Sequence, residues 1–154
     1  MTFLKKGFSL VETLAVVAIG VILATVVLFS FSSFRNSKIV DISADEVLSV
    51  INEVRVKAVS SEDYSRFGVH LETGRVVFFK GDIFTEPNSS NIETTLSSLT
   101  EMSDISLSGG GANIVFQKLT GKTSNYGSLR VRLKSDNSKY KTISVKSTGI
   151  AYIQ

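Results

Sequence analysis

The pattern of apolar and polar positions changes period as the chain is followed. From Phe8 to Phe29 apolar residues run almost without interruption, which as a helix would span about 33 Å at ~1.5 Å per residue, enough to cross a bilayer. Val40, Ala44, Val47, Ile51, Val54 and Ala58 then recur at spacings of four and three, the stripe of an amphipathic helix. Glu53 and Lys57 stand one turn apart, placed for an ion pair. No Gly or Pro separates the two segments, so one long helix is predicted, loosened around Ser30 to Ser37. From Phe67 the period becomes that of a strand: Phe67, Val69 and Leu71 alternate with Gly68, His70 and Glu72, and Glu72-Thr73-Gly74-Arg75 turns into a second strand, Val76 to Lys80.

The segment from Gly81 to Ser103 holds Pro87 and many Ser, Thr and Asn residues. It reads as a long loop with a short helix near Ile92 to Leu99, and its length suggests a surface role. Ile105 and Leu107 suggest a further strand before the break at Gly109-Gly110-Gly111, which lacks the lysine and the spacing of a phosphate loop. Strands follow at Asn113 to Lys118, Ser128 to Lys134, Tyr140 to Lys146 and Ile150 to Ile153, with a turn over Ser135 to Lys139. The expected fold class is α+β: a long N-terminal α-helix, its first half transmembrane and its second half amphipathic, packed on an antiparallel β-sheet domain. The expected boundaries are 1–7 for a leader, 8–34 for the apolar helix, 35–60 for the amphipathic helix and 61–154 for the β-rich domain.

Composition changes this picture little. Without cysteine there is neither a disulfide framework nor a cysteine metal site. The junction in front of the apolar run changes it more. Lys5, Lys6, Gly7 and Phe8 are followed by a lone carboxylate, Glu12, inside the hydrophobic stretch. A secretory signal would end in small residues, yet the run passes into Ser30, Phe31, Ser32, Ser33, Phe34 and Arg35, which offers no such site. A plain anchor, oriented by Lys5 and Lys6 with the amino end in the cytoplasm, explains the length. It does not explain Glu12, because a carboxylate deep in a bilayer costs roughly 2.5 kcal/mol or more.

The junction K-K-G-F-S-L-V-E resembles the processing site of type IV prepilins and pseudopilins. The blocks N-I-V-F-Q-K-L-T-G, L-R-V-R-L, T-I-S-V and S-T-G-I-A-Y-I are similar to the GspH/FimT group of minor pseudopilins and minor pilins. The resemblance implies cleavage by a prepilin peptidase between Gly7 and Phe8, followed by N-methylation of Phe8. It implies that Glu12 neutralises the new amine of a neighbouring subunit during assembly. The implied partners are the peptidase, other major and minor pilins or pseudopilins, an inner-membrane assembly platform and the lipid bilayer before assembly. The implied location is the cytoplasmic membrane, with the C-terminal domain exported and later part of a periplasmic or extracellular filament of a type IV pilus or type II secretion system. Cofactors and metals are not implied. An ordinary single-pass protein with an exported β domain is the alternative.

The net charge of +3 conceals a segregation. Asp41 to Leu107 carries twelve acidic and five basic residues, whereas Asn113 to Gln154 carries eight basic residues and one acid, Asp136. Alternation places Arg130, Arg132 and Lys134 on one outward face, with Lys146 on the same side of the partner strand beside Tyr140, Thr142 and Ser144. Three readings of that face stand open: a solvated surface that discourages edge pairing, docking to an acidic neighbour, and double-stranded DNA binding for uptake, with Tyr126 or Tyr140 stacking or hydrogen-bonding. An enzyme is not expected. The single histidine, His70, has no second His or Cys near it in the pattern, and no serine is supplied with a base.

Overall fold

The computed structural model describes residues 9–154, with backbone alone at 28–30, 32 and 33. Helix α1 runs from Leu10 to Val59, so the apolar and amphipathic segments belong to one helix, as the missing breakers predict. The chain divides into two units, one ending at Asn36 and one from Ser37 to Gln154. In the first, Leu10–Val27 is long and apolar enough to cross a membrane and buries nothing within its own unit. Its polar side chains are satisfied locally: Thr13 Oγ1 donates to the Leu10 carbonyl at 2.9 Å and Thr25 Oγ1 to that of Ile22 at 2.7 Å. Hydroxyls bonded to their own helix present no unpaired donor to hydrocarbon.

The second unit is α+β. Eight strands follow α1: β1 (Phe67–Leu71), β2 (Arg75–Lys80), β3 (Ile92–Thr95), β4 (Thr100–Leu107), β5 (Asn113–Phe116), β6 (Gly127–Leu133), β7 (Asp136–Val145) and β8 (Ala151–Ile153). They form two four-stranded sheets, β3-β2-β1-β5 and β4-β6-β7-β8, antiparallel throughout. The stripe from Val40 to Ala58 is buried as its spacing predicts, and from Ala44 onward it shares one core with Val69, Leu71 and Ile114 of the first sheet and Leu129, Val131 and Ile143 of the second. In that region Ser43 Oγ and Thr100 Oγ1 meet at 2.9 Å and Thr100 Oγ1 also donates to the Ser97 carbonyl at 3.2 Å, so burial leaves neither hydroxyl without a partner.

Three local expectations are corrected. Ile92–Thr95 is strand β3 instead of part of a helix, because β-branched Ile92, Thr94 and Thr95 pair with the open edge of β2. Strand β7 begins at Asp136, so the β6–β7 turn is shorter than predicted and Lys134 lies in the turn. Lys57 pairs with Glu62 at 3.6 Å instead of Glu53, and lies over the Phe78 ring.

The segment between β2 and β3 has a structural job that its composition does not announce. Phe84 stacks on the His70 ring at a centroid distance of 4.0 Å and meets Phe79 edge-on at 5.6 Å, covering the outer face of the first sheet. Gly68 makes room, since a Cβ there would fall 2.3 Å from the Phe79 ring. Arg75 fastens the segment by bonding Glu72 at 2.7 Å, Glu86 at 2.9 Å and Glu93 at 2.8 Å. That guanidinium holds the Glu72 and Glu93 carboxyls below their ordinary range, and the three acids raise Arg75 in turn.

Two predictions follow from this packing. Ile51→Ala removes a fully buried side chain from the shared core and should lower unfolding stability by about 2–5 kcal/mol in denaturant titration. Arg75→Met should lower the melting temperature most at neutral pH. Because the carboxyl pKa values are depressed in the folded state, their contribution is full above the unfolded range, about 4.3, and is lost as pH falls through the folded values. The difference between Arg75→Met and wild type should therefore shrink on acidification; a constant difference across pH would contradict the clamp.

Candidate functional site

The residues expected to act lie in two places. Lys5, Lys6, Gly7 and Phe8 fall outside the described residues, and with them the pairing of the Phe8 amine to Glu12. Glu12 itself is in the first turn of α1, exposed, with Leu10, Val11 and Leu14 exposed around it. An acid near a helix N-terminus is favoured by the helix dipole, which explains how the carboxylate is tolerated but not why it stands in an apolar run.

The second place is the outward face of the β4-β6-β7-β8 sheet. Leu129, Val131 and Leu133 point into the core and Arg130 and Arg132 point out, as the alternation predicts. Arg130 is opposite Thr142 and Arg132 opposite Tyr140 on β7. The Arg130 guanidinium lies 4.8 Å from the Tyr140 ring centroid. Lys134, in the turn, donates through Nζ to the Ser98 carbonyl at 2.9 Å. Lys146, just past the end of β7, lies with Nζ 5.2 Å from the Tyr152 ring centroid.

The other edge of β6 changes the electrostatics of this face. Strand β4 places Glu101 opposite Arg132, and the two meet at 2.7 Å. Asp104 reaches Arg130 at 3.1 Å. By parity with Thr100 and Met102, Asp104 would point inward. A bulge between Ser103 and Ser106, with Asp104 at φ 49°, turns it outward instead. Lys141 similarly meets Asp41 of α1 at 3.5 Å. Three of the eight cations of the last third are thus paired with acids from the earlier acidic stretch, and the sequence holds no signal for this because it depends on β4 lying beside β6. Exposed ion pairs of this kind contribute little to stability, but they reduce the field that a polyanion would meet.

His70 is absorbed by the fold. Its Nδ1 lies 2.6 Å from Asn113 Oδ1, its Nε2 lies 3.3 Å from Glu72, and Phe84 covers the ring. No group of three or more His, Cys, Asp or Glu residues that could hold a metal occurs among the described residues.

The fold of this chain is shared, over about three quarters of its length, with solved minor pseudopilin and minor pilin structures. Among solved structures, the minor pseudopilin EpsH from the type 2 secretion system of Vibrio cholerae has this fold at a TM-score of 0.55 and 16% identity, over 75% of this chain and 95% of that one. The type IV minor pilin FimU of Pseudomonas aeruginosa has it at a TM-score of 0.59 and 9% identity, over 79% of this chain and 92% of that one. No family model and no curated protein sequence matches this chain. The likeness is one of fold.

Proposed function

We propose that this chain is a minor pilin or pseudopilin: a structural subunit made as a membrane-inserted precursor and incorporated at the tip or initiation complex of a type IV pilus or type II secretion pseudopilus. Residues 1–7 are the leader, cleaved by a prepilin peptidase after Gly7, with Lys5 and Lys6 holding the leader in the cytoplasm and Phe8 becoming the N-methylated first residue. The observation that carries the reading is a shared fold joined to one chemical anomaly, an exposed carboxylate at Glu12 in a helix otherwise fit for a bilayer. An unpaired acid there is costly, and a neighbouring subunit's amine offsets that cost only in an assembled filament. The other partners are major and minor pilins or pseudopilins and the inner-membrane assembly platform.

Co-expression with a prepilin peptidase should remove residues 1–7, read as a mass change, and Gly7→Arg should abolish the change. Glu12→Ala should remain in the membrane while its content in sheared filaments falls at least about tenfold. Normal incorporation of Glu12→Ala would sink the assembly role. An uncut chain would favour the ordinary membrane-anchored β domain.

DNA capture on the basic strands is the second reading, supported by exposed Lys134, Lys146 and Tyr126 and opposed by Glu101 and Asp104. Combining Glu101→Gln with Asp104→Asn should strengthen double-stranded DNA binding and steepen its salt dependence by about two phosphate contacts. Wild-type binding that is lost on replacing Arg130, Arg132 and Lys134 would mark DNA uptake. No binding at low salt leaves this face to subunit docking.

A further inference from the structure

The C-terminal end of α1 carries exposed apolar side chains where the backbone is strained to present them. Val56 and Val59 emerge from the last turns of the helix, and Tyr64, Leu119 and Ile150 are exposed around them. Leu119 and Tyr64 are both on left-handed backbone, at φ 63° and 54°, and are 74% and 89% exposed. A bulky residue is disfavoured in that conformation, and one held there in water gains no burial in return. The chain nevertheless fixes both positions. The Leu119 amide donates to the Ala58 carbonyl at 3.1 Å, and Lys118 Nζ donates to the Tyr64 carbonyl at 2.9 Å.

Polar atoms at the same end are left incomplete. Gly121 and Gly149 lie back to back against Arg55: a Cβ on Gly149 would fall 1.8 Å from the Gly121 carbonyl oxygen and 3.0 Å from Arg55 Nε. Arg55 Nε and Ser61 Oγ are buried without a hydrogen-bond partner. Lys57 is matched by Glu62 and Lys80 by Asp63, but Arg55, Lys118 and Lys122 meet no carboxylate among the described residues. The patch is therefore apolar at its centre and net positive at its edge, the make-up of an interface awaiting a complementary surface.

We propose that this end of the unit from Ser37 onward is a docking surface for an acidic, partly apolar protein segment of a neighbouring filament subunit. Leu119, Ile150 and Val59 meet its apolar side chains, and Arg55 and Lys122 meet its carboxylates. The proposal rests on the filament reading above. A protein segment is favoured over nucleic acid because strained, exposed aliphatic side chains gain nothing from phosphates.

The test uses the full chain in cells that assemble its filament, with a photo-crosslinking amino acid at Leu119 and, as a control, at Asn137 in the exposed β6–β7 hairpin. Mass spectrometry should map the Leu119 adduct to a filament subunit, within a segment containing Asp or Glu, at several times the yield from Asn137. Lys122→Glu should reduce that adduct about fivefold. Leu119→Gly suits the left-handed backbone, so its melting temperature should equal or exceed that of wild type while filament content falls about fivefold. Adducts no more abundant than at Asn137, or adducts to nucleic acid or lipid, would overturn the docking surface. Absence of the wild-type chain from sheared filaments would overturn the filament reading itself. Wild-type incorporation matched by both Leu119→Gly and Lys122→Glu would overturn only the docking.

Discussion

The helix stripe and the inner faces of both sheets belong to one hydrophobic core. Val47, Ile51 and Val54 are buried in that core together with the inner residues of both sheets, and Phe84 lies over the outer face of the first. A sheet with one apolar face is stable only when that face is covered, so the amphipathic part of α1 is the surface on which both sheets are organised. The buried Ser43–Thr100 pair ties the helix to β4 within that core. Everything presented outward, from the cations of β6 to the end of α1, takes its position from this packing.

The same packing decides how charge is displayed. The acids concentrated between Asp41 and Leu107 and the cations concentrated after Asn113 are far apart in sequence but interleaved in space. Arg130 and Arg132 are neutralised by a strand that precedes them by about two dozen residues or more, with a bulge at Asp104 to complete the match. The outward face is consequently a patchwork of ion pairs, with Lys134 bonded to the Ser98 carbonyl and Lys146 over the Tyr152 ring at its margin. Such a surface suits selective contacts between subunits better than capture of an extended polyanion, where summed charge sets affinity.

On the filament reading proposed above, function resides in surfaces and in one acid, Glu12, that is exposed in the single chain. The membrane-length segment Leu10–Val27 bears a single acid, and the unit from Ser37 onward bears two distinct outward regions, one of paired charges and one apolar with cations that meet no carboxylate among the described residues. None of these needs a cofactor or a catalytic group. On that reading a neighbour completes each of them, which is how the chemistry of assembly differs from that of catalysis.

Much of the architecture was legible in the residues. The stripe from Val40 to Ala58, the apolar positions Phe67, Val69 and Leu71 of β1, the alternation in β6 and the Glu72-Thr73-Gly74-Arg75 turn depend on local pattern, and the apolar residues of the stripe, β1 and β6 are buried. Glu12 stands out by residue type alone. What sequence could not decide were relations between distant segments: the division into two sheets, the pairing of Ile92–Thr95 as a strand, and the placing of Phe84 over His70. The neutralisation of Arg130 and Arg132, and the gathering of Arg55, Tyr64, Leu119 and Ile150 at one end of α1, belong with them. Periodicity reports which face of an element seeks burial. Which element it meets is settled only when all the apolar faces must be covered at once, and only the tertiary structure settles that.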